Sequence, residues 1–376
     1  MIPYGRQSLD EDDIAAVVQA LRSDWLTTGP EIEAFEKAFV GIAGSSHAVA
    51  VSSGTAALHA AMFALDVKPG DEVIVPAFTF AATANCVVFQ GATPVFCDVD
   101  PSSLLVSPAE VESKITSRTR AILSVDYAGQ PCDYDELRVL ADRNGLALVA
   151  DACHALGAAY KGRPAGSLAD LTAFSFHPVK HMTTGEGGMI TTNDPDLAAR
   201  MRSFRNHGIQ TDLHQRAKAG TWQYEMTELG YNYRLTDIQC ALGRSQLRKL
   251  PGWVDRRREI ARRFDSAFEG LDGVTPLQTR PERTHSYHLY VIQVDPKVVD
   301  RGAVFGRLRA SGVGANVHYM PVHLHPFYRE RFGTGPGLCP TAEAAYELVL
   351  SLPIFPALSR EQEQVVIESV RSAVGK

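Results

Sequence analysis

Short apolar runs alternate with helix-like segments between about residues 47 and 192. Several of these runs are apolar throughout, which is typical of strands that are buried on both faces of a parallel sheet. Between them, GTAALHAAMFAL and CDYDELRVLADRNG have a helical pattern, and the second begins with an Asp cap and ends at a glycine. The alternation predicts an α/β sheet with helices on both sides. The predicted strands are HAVAV (47–51), EVIVP (72–76), PVFCDV (94–99), RAILSV (120–125), LALVA (146–150), LTAFSF (171–176) and GMITT (188–192).

The pattern changes after about residue 235. A long Arg-rich helix is followed there by two strands and three further helices, which favours a smaller α+β domain packed on the first. We therefore expect a large α/β domain over residues 1–245 and a small C-terminal domain over residues 246–376. The predicted elements of the second are an Arg-rich helix over about 250–270, a strand at SYHLYVIQV, a helix at AVFGRLRASG, a strand at ANVHYMPV, and helices near 341–350 and 359–374.

Composition excludes several classes of protein. A formal net charge of −6 and a pI near 6.1 provide no basic footprint for nucleic acid. The strongest basic run, RRR at 256–258, falls within the predicted helix and is interpreted as a solvated helix face. No run approaches the roughly 18–20 apolar residues of a membrane span, and the start has no apolar signal segment. Six scattered cysteines are typical of reduced thiols. We expect a cytoplasmic protein.

Polar residues follow three of the predicted strands, at the edge of an α/β sheet where ligands bind. The turn SSGT after HAVAV opens a helix, so it is either a phosphate site built from free N–H groups or a simple N-cap. Asp151 follows LALVA, and a buried carboxylate there needs a cation or donors. The alternative for Asp151 is a cap of the following ACHAL segment.

Lys180, after LTAFSF, differs from the other eight lysines of the chain. It alone follows a core strand within a Gly/Thr-rich, non-helical segment. Burial there lowers the pKa of an amine and makes it nucleophilic towards carbonyls. A phosphate turn, a carboxylate and such an amine together fit pyridoxal 5′-phosphate (PLP). The phosphate would lie on Gly54 and Thr55, Asp151 would pair with the pyridinium nitrogen, and Lys180 would hold the aldehyde as a Schiff base.

Two competing constellations have less support. No GxGxxG follows the first strand, which argues against a nicotinamide dehydrogenase. The histidines of VHYMPVHLHP, His318, His323 and His325, suggest a metal site. However, the segment alternates like a strand and has no carboxylate or cysteine close by in sequence. A pocket wall is the favoured interpretation, and we expect no metal.

Several stretches together resemble the DegT/StrS group of nucleotide-sugar aminotransferases, which have the PLP-dependent type I (aspartate aminotransferase-like) fold. These are SDWLTTGPEIEAFE, VSSGTAALHAA, FTFAATANC, SVDYAGQPCD, DACHALGAAY, FSFHPVKHMTTGEGGMITTND, GYNYRLTDIQCALG and VHYMPVHL. Within the group the chain looks closest to the enzymes of pseudaminic acid biosynthesis, on the basis of MIPYGRQ, SVDYAGQ, SFHPVKHMTTGEGG and His154, where most members have Gln.

The resemblance implies roles for individual residues. Lys180, Asp151 and His154 would be catalytic, with His154 beside the phenolic oxygen of PLP. Phe80 would stack on the ring, and Gly54, Thr55 and Ser175 would bind the phosphate. Asn232 is expected to reach the phosphate in a neighbouring subunit, which implies a homodimer with shared sites. The substrate residues, with help from an N-terminal arm over residues 1–30, would be Thr28, Glu186, His318 and Tyr319.

The implied reaction is a ping-pong transfer of an amino group from L-glutamate to the C4 ketone of UDP-2-acetamido-2,6-dideoxy-β-L-arabino-hex-4-ulose. Two alternatives stay open. Another dTDP-, GDP- or UDP-linked keto-sugar is the first, because residue types do not determine the stereochemistry. A regulatory protein that binds PLP without turnover is the second, although retention of Lys180 and Asp151 argues against it. Dehydratase relatives of the group carry His at the position of Lys180, so a dehydratase activity is disfavoured.

Overall fold

The computed structural model describes residues 1–211, 216, 218 and 220–375. All seven predicted apolar runs form strands of one sheet. The strands of the chain are β1 (His47–Val51), β2 (Glu72–Pro76), β3 (Thr93–Cys97), β4 (Thr119–Val125), β5 (Ala147–Asp151), β6 (Ala159–Tyr160), β7 (Arg163–Pro164), β8 (Leu171–Ser175), β9 (Gly188–Thr192), β10 (Val274–Pro276), β11 (Arg283–Thr284), β12 (Tyr290–Val294) and β13 (Val349–Leu352).

The large sheet has the strand order β1-β9-β8-β5-β4-β2-β3. Its neighbours pair in parallel except around β9, which runs antiparallel to both β1 and β8. The prediction of a mostly parallel α/β sheet is therefore confirmed. The helices are α1 (Glu11–Leu21), α2 (Pro30–Ala43), α3 (Gly54–Ala64), α4 (Ala81–Phe89), α5 (Pro108–Lys114), α6 (Tyr134–Asn144), α7 (Pro195–Phe204), α8 (Asp237–Phe268), α9 (Arg301–Ala310), α10 (Pro326–Phe332), α11 (Pro340–Leu348) and α12 (Arg360–Val374).

Helices cover both faces of the large sheet, as the strand β1 illustrates. Successive side chains of a strand point to opposite faces. Val49 and Val51 belong to the apolar cluster that includes α3, whereas Ala48 and Ala50 belong to the cluster that includes α2 and the first half of α8. Because both faces are buried, the four residues Ala48–Val51 are all apolar, which is why continuous apolar runs predict this sheet well.

A second core lies in the C-terminal part, where α9, α12 and the end of α8 pack on the antiparallel sheet β10-β12-β13. The helix α8 begins well before the predicted start near residue 250, because Thr236 forms a capping box with Gln239. Pro251 lies inside this helix. Since α8 contributes to two cores and runs across residue 245, the exact domain boundary stays a prediction.

Three predicted elements of the C-terminal part are wrong or misplaced. ANVHYMPV is not a strand, and only Asn316 forms an isolated bridge there, with Ser351. The helix expected over 341–350 ends at Leu348 and is followed directly by the strand β13. The strand expected at SYHLYVIQV begins only at Tyr290, since Ser286 N donates to Gly129 O at 2.9 Å and thus belongs to a loop contact.

Two predictions about charged residues are also wrong. Asp133 does not cap α6 through its side chain, because it pairs instead with Arg283 at 2.7 Å. Arg257, in the RRR run, is 1% exposed rather than solvated. Its guanidinium donates to the carbonyls of Tyr287 at 3.0 Å and Ile354 at 2.8 Å. In both cases the partners are distant in sequence, so the local sequence pattern does not indicate them.

Across the described residues, no helix combines the length and the apolar character that a membrane crossing requires.

Candidate active site

Asp151 and Lys180 lie near each other beyond the carboxyl edge of the large sheet, close enough for their charges to interact. Asp151 ends β5, and the neighbouring parallel strand β8 leads into the loop that carries Lys180. This loop closes where Phe176 N donates to Gly187 O at 2.9 Å. Burial lowers the pKa of Lys180, while nearby Cys153 and Asp151 act in the opposite direction. The structure therefore brings together the predicted amine and carboxylate.

Asp151 is 7% exposed and is held by donors from its surroundings. Thr83 Oγ1, on α4, donates to its Oδ2 at 2.7 Å, and the backbone N–H of Cys153 donates to Oδ1 at 3.2 Å. Thr79 lies behind Thr83, with 2.8 Å between the two hydroxyl oxygens. No helix follows Asp151, so the cap alternative is wrong. Sequence reasoning missed Thr83, for which the i, i+4 pair of threonines in FTFAATANC is the only signal.

The turn at the start of α3 lies against the ends of β5 and β8. Ser53 caps the helix by accepting from Ala56 N at 3.0 Å. A Cβ added at Gly54 would lie 2.9 Å from Ser175 Cβ and 3.1 Å from Cys153 Sγ, so only glycine allows this close approach. The turn is thus both a capped helix start and a set of N–H groups beside the Ser175 hydroxyl, as an anion site requires.

Tyr319 reaches the site from the segment that was expected to be a strand. Its hydroxyl lies 3.1 Å from Nε2 of His154, and its ring centroid lies 5.8 Å from that of Phe80. His318, the preceding residue, is anchored by a 2.9 Å contact between its Nδ1 and Ser351 Oγ. Tyr127 donates to the carbonyl of His318. The irregular backbone is what places Tyr319 above His154.

Buried imidazoles surround Lys180. The ring of His154 lies 4.3 Å from that of His288, which in turn lies 5.7 Å from that of His181. Burial holds the pKa of His154 well below its ordinary value, and the nearby Lys180 charge adds to this effect. Nδ1 of His154 is buried and has no hydrogen-bond partner within the described part of the chain. Sequence reasoning missed His181 and His288, because no local pattern distinguishes them from core histidines.

Three predicted residues lie further out. Glu186 is exposed, and its carbonyl accepts from Gln239 Nε2 at 2.8 Å. Thr28 lines a separate surface groove of about 1130 Å³ to which Lys180 does not contribute. Asn232 is exposed, and its side chain makes no hydrogen bond within residues 1–211 or 220–375. Within one chain, these residues do not join the cluster around Lys180.

The remaining histidines of VHYMPVHLHP do not meet at one point. His323 is buried, and its Nε2 lies 2.8 Å from Glu343 Oε1, a partner that is distant in sequence. Among the described residues, no group of three or more His, Cys, Asp or Glu side chains has the arrangement of a metal site. His318 is instead part of the wall beside Tyr319.

The residues present fit PLP. That cofactor needs anion-binding donors for its phosphate, a carboxylate for its pyridine nitrogen and an amine for its aldehyde. Gly54, Thr55 and Ser175 would supply the first, Asp151 the second and Lys180 the third. The glycine cradle that a Cβ would fill and the unpartnered Nδ1 of His154 are the independent structural signs of a ligand at this place.

Comparisons with known proteins agree with this chemistry. The model of the DegT/DnrJ/EryC1/StrS aminotransferase family matches residues 7–371. Spore coat polysaccharide biosynthesis protein SpsC of Bacillus subtilis is 41% identical over 377 residues, which cover 99% of this chain and 97% of that protein.

Solved structures of two proteins are similar to this chain over nearly their whole length. The putative sugar aminotransferase Spr1654 from Streptococcus pneumoniae, in its PMP form, has a TM-score of 0.94 and 34% identity, covering 100% of this chain and 99% of its own. Its PLP form has a TM-score of 0.93. Helicobacter pylori PseC, an aminotransferase involved in the biosynthesis of pseudoaminic acid, has a TM-score of 0.92 and 33% identity, covering 99% of each chain.

Proposed function

This chain belongs to the DegT/DnrJ/EryC1/StrS aminotransferase family and is a PLP-dependent sugar aminotransferase, and from that premise we propose its substrates and the roles of its residues. The amino donor is L-glutamate. The acceptor is the C4 ketone of a UDP-linked 4-keto-6-deoxy-N-acetylhexosamine. The observation that carries the proposal is the proximity of Lys180 to Asp151 and His154 beyond one sheet edge, where burial lowers the pKa of the amine.

Asp151 acts on the pyridine nitrogen of the cofactor. An anion within a few ångströms raises the pKa of that nitrogen and so holds a proton on it. PLP with a protonated ring supplies an electron sink for the pair of electrons that the substrate carbon releases. Thr83 and the Cys153 N–H keep the carboxylate oriented and satisfied while it is buried.

Lys180 has two tasks in the proposal. Its amine would hold the cofactor covalently between turnovers, in the uncharged form that burial favours. Once free, Nζ would take the proton from the substrate carbon. A positioned general base of this kind contributes about 10²–10⁴-fold to the rate. The same amine serves both half-reactions, glutamate to 2-oxoglutarate and keto-sugar to amino-sugar.

His154 and Tyr319 form the opposite side of the proposed site. The 3.1 Å contact between the Tyr319 hydroxyl and His154 Nε2 fixes the imidazole, and Nδ1 is left for the phenolic oxygen of the cofactor. Phe80, 59% exposed beside Tyr319, supplies a ring face for stacking. His318 and Tyr319 would then border the sugar.

The proposed active unit is a homodimer in which Asn232 completes the phosphate site of the other subunit. The exposed side chain of Asn232, which has no hydrogen bond within its own described chain, supports this arrangement. Thr28 and Glu186, which also lie away from the Lys180 cluster, would border the substrate of that shared site.

The choice of sugar rests on PseC, whose described role is in pseudoaminic acid biosynthesis. A second candidate is a different nucleotide-linked keto-sugar. The observation that favours it is the higher identity, 41% against 33%, to SpsC, a protein of spore coat polysaccharide biosynthesis. Both candidates share the aminotransferase chemistry and differ only in the acceptor.

An acceptor panel separates the two. The purified holoenzyme is incubated with L-glutamate and, in parallel, with UDP-, dTDP- and GDP-linked 4-keto-6-deoxy sugars, and 2-oxoglutarate and the amino-sugar are measured. We expect the UDP-linked N-acetylated sugar to have the highest kcat/KM, with the new amine at C4. A higher kcat/KM for a dTDP- or GDP-linked acceptor would select the second candidate. The Lys180→Ala protein is the blank.

A further inference from the structure

His59 is a buried histidine that the proposed mechanism does not use. It lies on α3, four residues after Thr55 in the turn proposed to bind the phosphate, and is 2% exposed. Its Nδ1 lies 3.2 Å from the hydroxyl oxygen of Tyr233. Its Nε2 is buried without a partner in the described part of the chain. The ring centroids of Phe89, Phe204 and Tyr231 each lie 5.0 Å from its own.

The two tyrosines on either side of Asn232 both pack on His59. The rings of Tyr231 and Tyr233 are stacked, 5.1 Å apart at 15°. In extended backbone, residues two apart lie on the same side and the residue between them on the other. With Tyr231 and Tyr233 held against His59, the side chain of Asn232 is therefore turned outward, which agrees with its exposure.

The backbone of this tyrosine segment, residues 231–233, is fixed by the chain's own elements. Tyr231 N donates to Phe204 O at 2.7 Å, and Tyr233 N donates to Arg205 O at 3.0 Å. Ser52 N, at the end of β1, donates to Tyr233 O at 2.8 Å. These bonds hold the main chain, but they do not orient the two rings. The rings are packed on each other, on Phe204 and on His59, and among these contacts only His59 offers a hydrogen bond, to the hydroxyl of Tyr233.

We propose that His59 is a positioning residue, which holds Tyr231 and Tyr233 so that Asn232 is presented to the active site of a second copy of this chain. The inference rests on the proposed function, in which Asn232 completes the phosphate site of the partner. Because α3 begins at the subunit's own phosphate turn, one helix supports the cofactor of its own subunit at Gly54 and that of the other subunit through His59.

The contact has a defined chemistry. Burial lowers the pKa of His59 to about 4, so the imidazole is uncharged at neutral pH. A neutral imidazole has one acceptor nitrogen. With the proton on Nε2, the Tyr233 hydroxyl donates to Nδ1, and this bond specifies the position of the ring. A histidine that only filled an aromatic core would not need it.

Paired substitutions separate positioning from packing. His59→Phe keeps an aromatic ring and removes Nδ1, and Tyr233→Phe removes only the hydroxyl. Each variant is expected to weaken PLP binding about threefold to tenfold, the effect of one hydrogen bond. The double variant should be no worse than either single one, since both remove the same contact. At pH 7.0 the thermal midpoint of the cofactor-free protein should fall by a similar small amount in both variants, because each removes the same hydrogen bond.

Mixed dimers test whether the effect acts on the other subunit. Two differently tagged chains are co-expressed, the heterodimer is purified, and PLP binding is read as cofactor fixed by borohydride, which requires Lys180. In the first pair, one chain carries His59→Phe and its partner Lys180→Ala. The site that retains Lys180 is then completed by a partner with intact His59, and binding should equal that of a wild-type/Lys180→Ala dimer.

In the second pair, one chain carries both substitutions and its partner is wild type. The site with Lys180 now receives Asn232 from the chain that lacks His59, and binding should weaken threefold to tenfold. The reverse pattern, with the loss in the first pair, would overturn the proposal, as would PLP binding that is unchanged in both pairs.

Asn232→Ala in the same two pairs distinguishes this inference from the proposed function beneath it. If Asn232→Ala weakens binding in the second pair and His59→Phe does not, only the positioning role is wrong. If Asn232→Ala has no effect in the second pair, or no dimer forms, the shared site itself is wrong and the role of His59 falls with it.

Discussion

The hydroxyl of Thr83 donates a 2.7 Å hydrogen bond to Oδ2 of Asp151, across 68 residues of sequence. Thr83 lies on α4 and Asp151 ends β5, so the bond joins a helix to the sheet edge. A hydrogen bond between two buried side chains fixes the geometry of both. Thr83 therefore holds the Asp151 carboxylate in one orientation, which its proposed role beside the pyridine nitrogen requires.

Replacing Thr83 by Val should impair turnover more than folding. The two side chains have the same shape, but Val removes the donor, and a hydrogen bond to a charged group is worth about 1.5–3 kcal/mol. We expect kcat to fall roughly tenfold to a hundredfold. The measurement is steady-state kcat together with the absorbance of the bound cofactor. Thr79→Val is the matched control and should have a smaller effect, because Thr79 contacts Thr83 rather than Asp151.

Replacing Lys180 by Ala should abolish both turnover and the borohydride-fixed cofactor. No other described lysine is placed beside Asp151, so no substitute amine is available. Peptide mapping after borohydride reduction identifies the labelled residue. Lys161→Ala is the control, because this amine is exposed and paired with Asp135 at 2.9 Å. A labelled peptide that contains a lysine other than Lys180 would refute the assignment.

Two glycine-to-alanine substitutions should change different properties: one should weaken PLP binding, and the other should stabilise the fold. At Gly54, the new methyl group would meet Ser175 Cβ at 2.9 Å and Cys153 Sγ at 3.1 Å, so the turn must move and PLP binding should weaken at least tenfold. At Gly41, in α2, nothing lies within 4 Å of a Cβ. There, Ala should stabilise the protein by about 0.5–1 kcal/mol. PLP titration measures the first effect and urea unfolding the second. If Gly54→Ala bound PLP as tightly as Gly41→Ala, the close approach at Gly54 would have no role in binding the cofactor.

The cofactor-free protein should lose stability as the pH falls below about 6.5. Burial lowers the pKa of several histidines, to about 4 for His59 and His318 and to about 3 for His285. Between these values and the ordinary pKa, the unfolded chain binds more protons than the folded one. Stability is therefore lost towards acid, by up to about 1.4 kcal/mol per histidine and pH unit. Burial raises the pKa of Asp126 to about 7, so at this residue the folded chain binds a proton before the unfolded chain does as the pH falls. This single carboxyl group therefore partly offsets the loss of stability caused by the histidines.

The measurement is the urea midpoint at pH 7.0 and pH 5.5, above the range in which most carboxylates titrate. His59→Phe removes one buried imidazole and should reduce the difference between the two midpoints. A midpoint that is the same at both values, in the wild-type protein, would show that these histidines are not buried in the neutral form.

The sequence by itself determined the large sheet and the two residues at its edge that matter most. A strand buried on both faces is mostly apolar, so the sequence pattern alone indicates β1, β2, β4, β5, β8 and β9. Asp151 ends one of these strands and Lys180 lies in the loop after another, so their polar side chains contrast with the apolar runs before them. The carboxyl ends of parallel neighbours meet at one edge, and proximity therefore follows from the fold class.

Only the tertiary structure decided which side chains surround those two residues. Thr83, His288 and His59 are ordinary core positions of their own helices and loops, and each contacts its partner across a long sequence separation. The segment 315–322 alternates like a strand, yet its backbone bonds at its two ends, to Ser351 and to Ala77, and carries Tyr319 to His154 instead. Local pattern encodes burial, which is a property of one element. Partners belong to the packing of many elements, and no single stretch of sequence contains them.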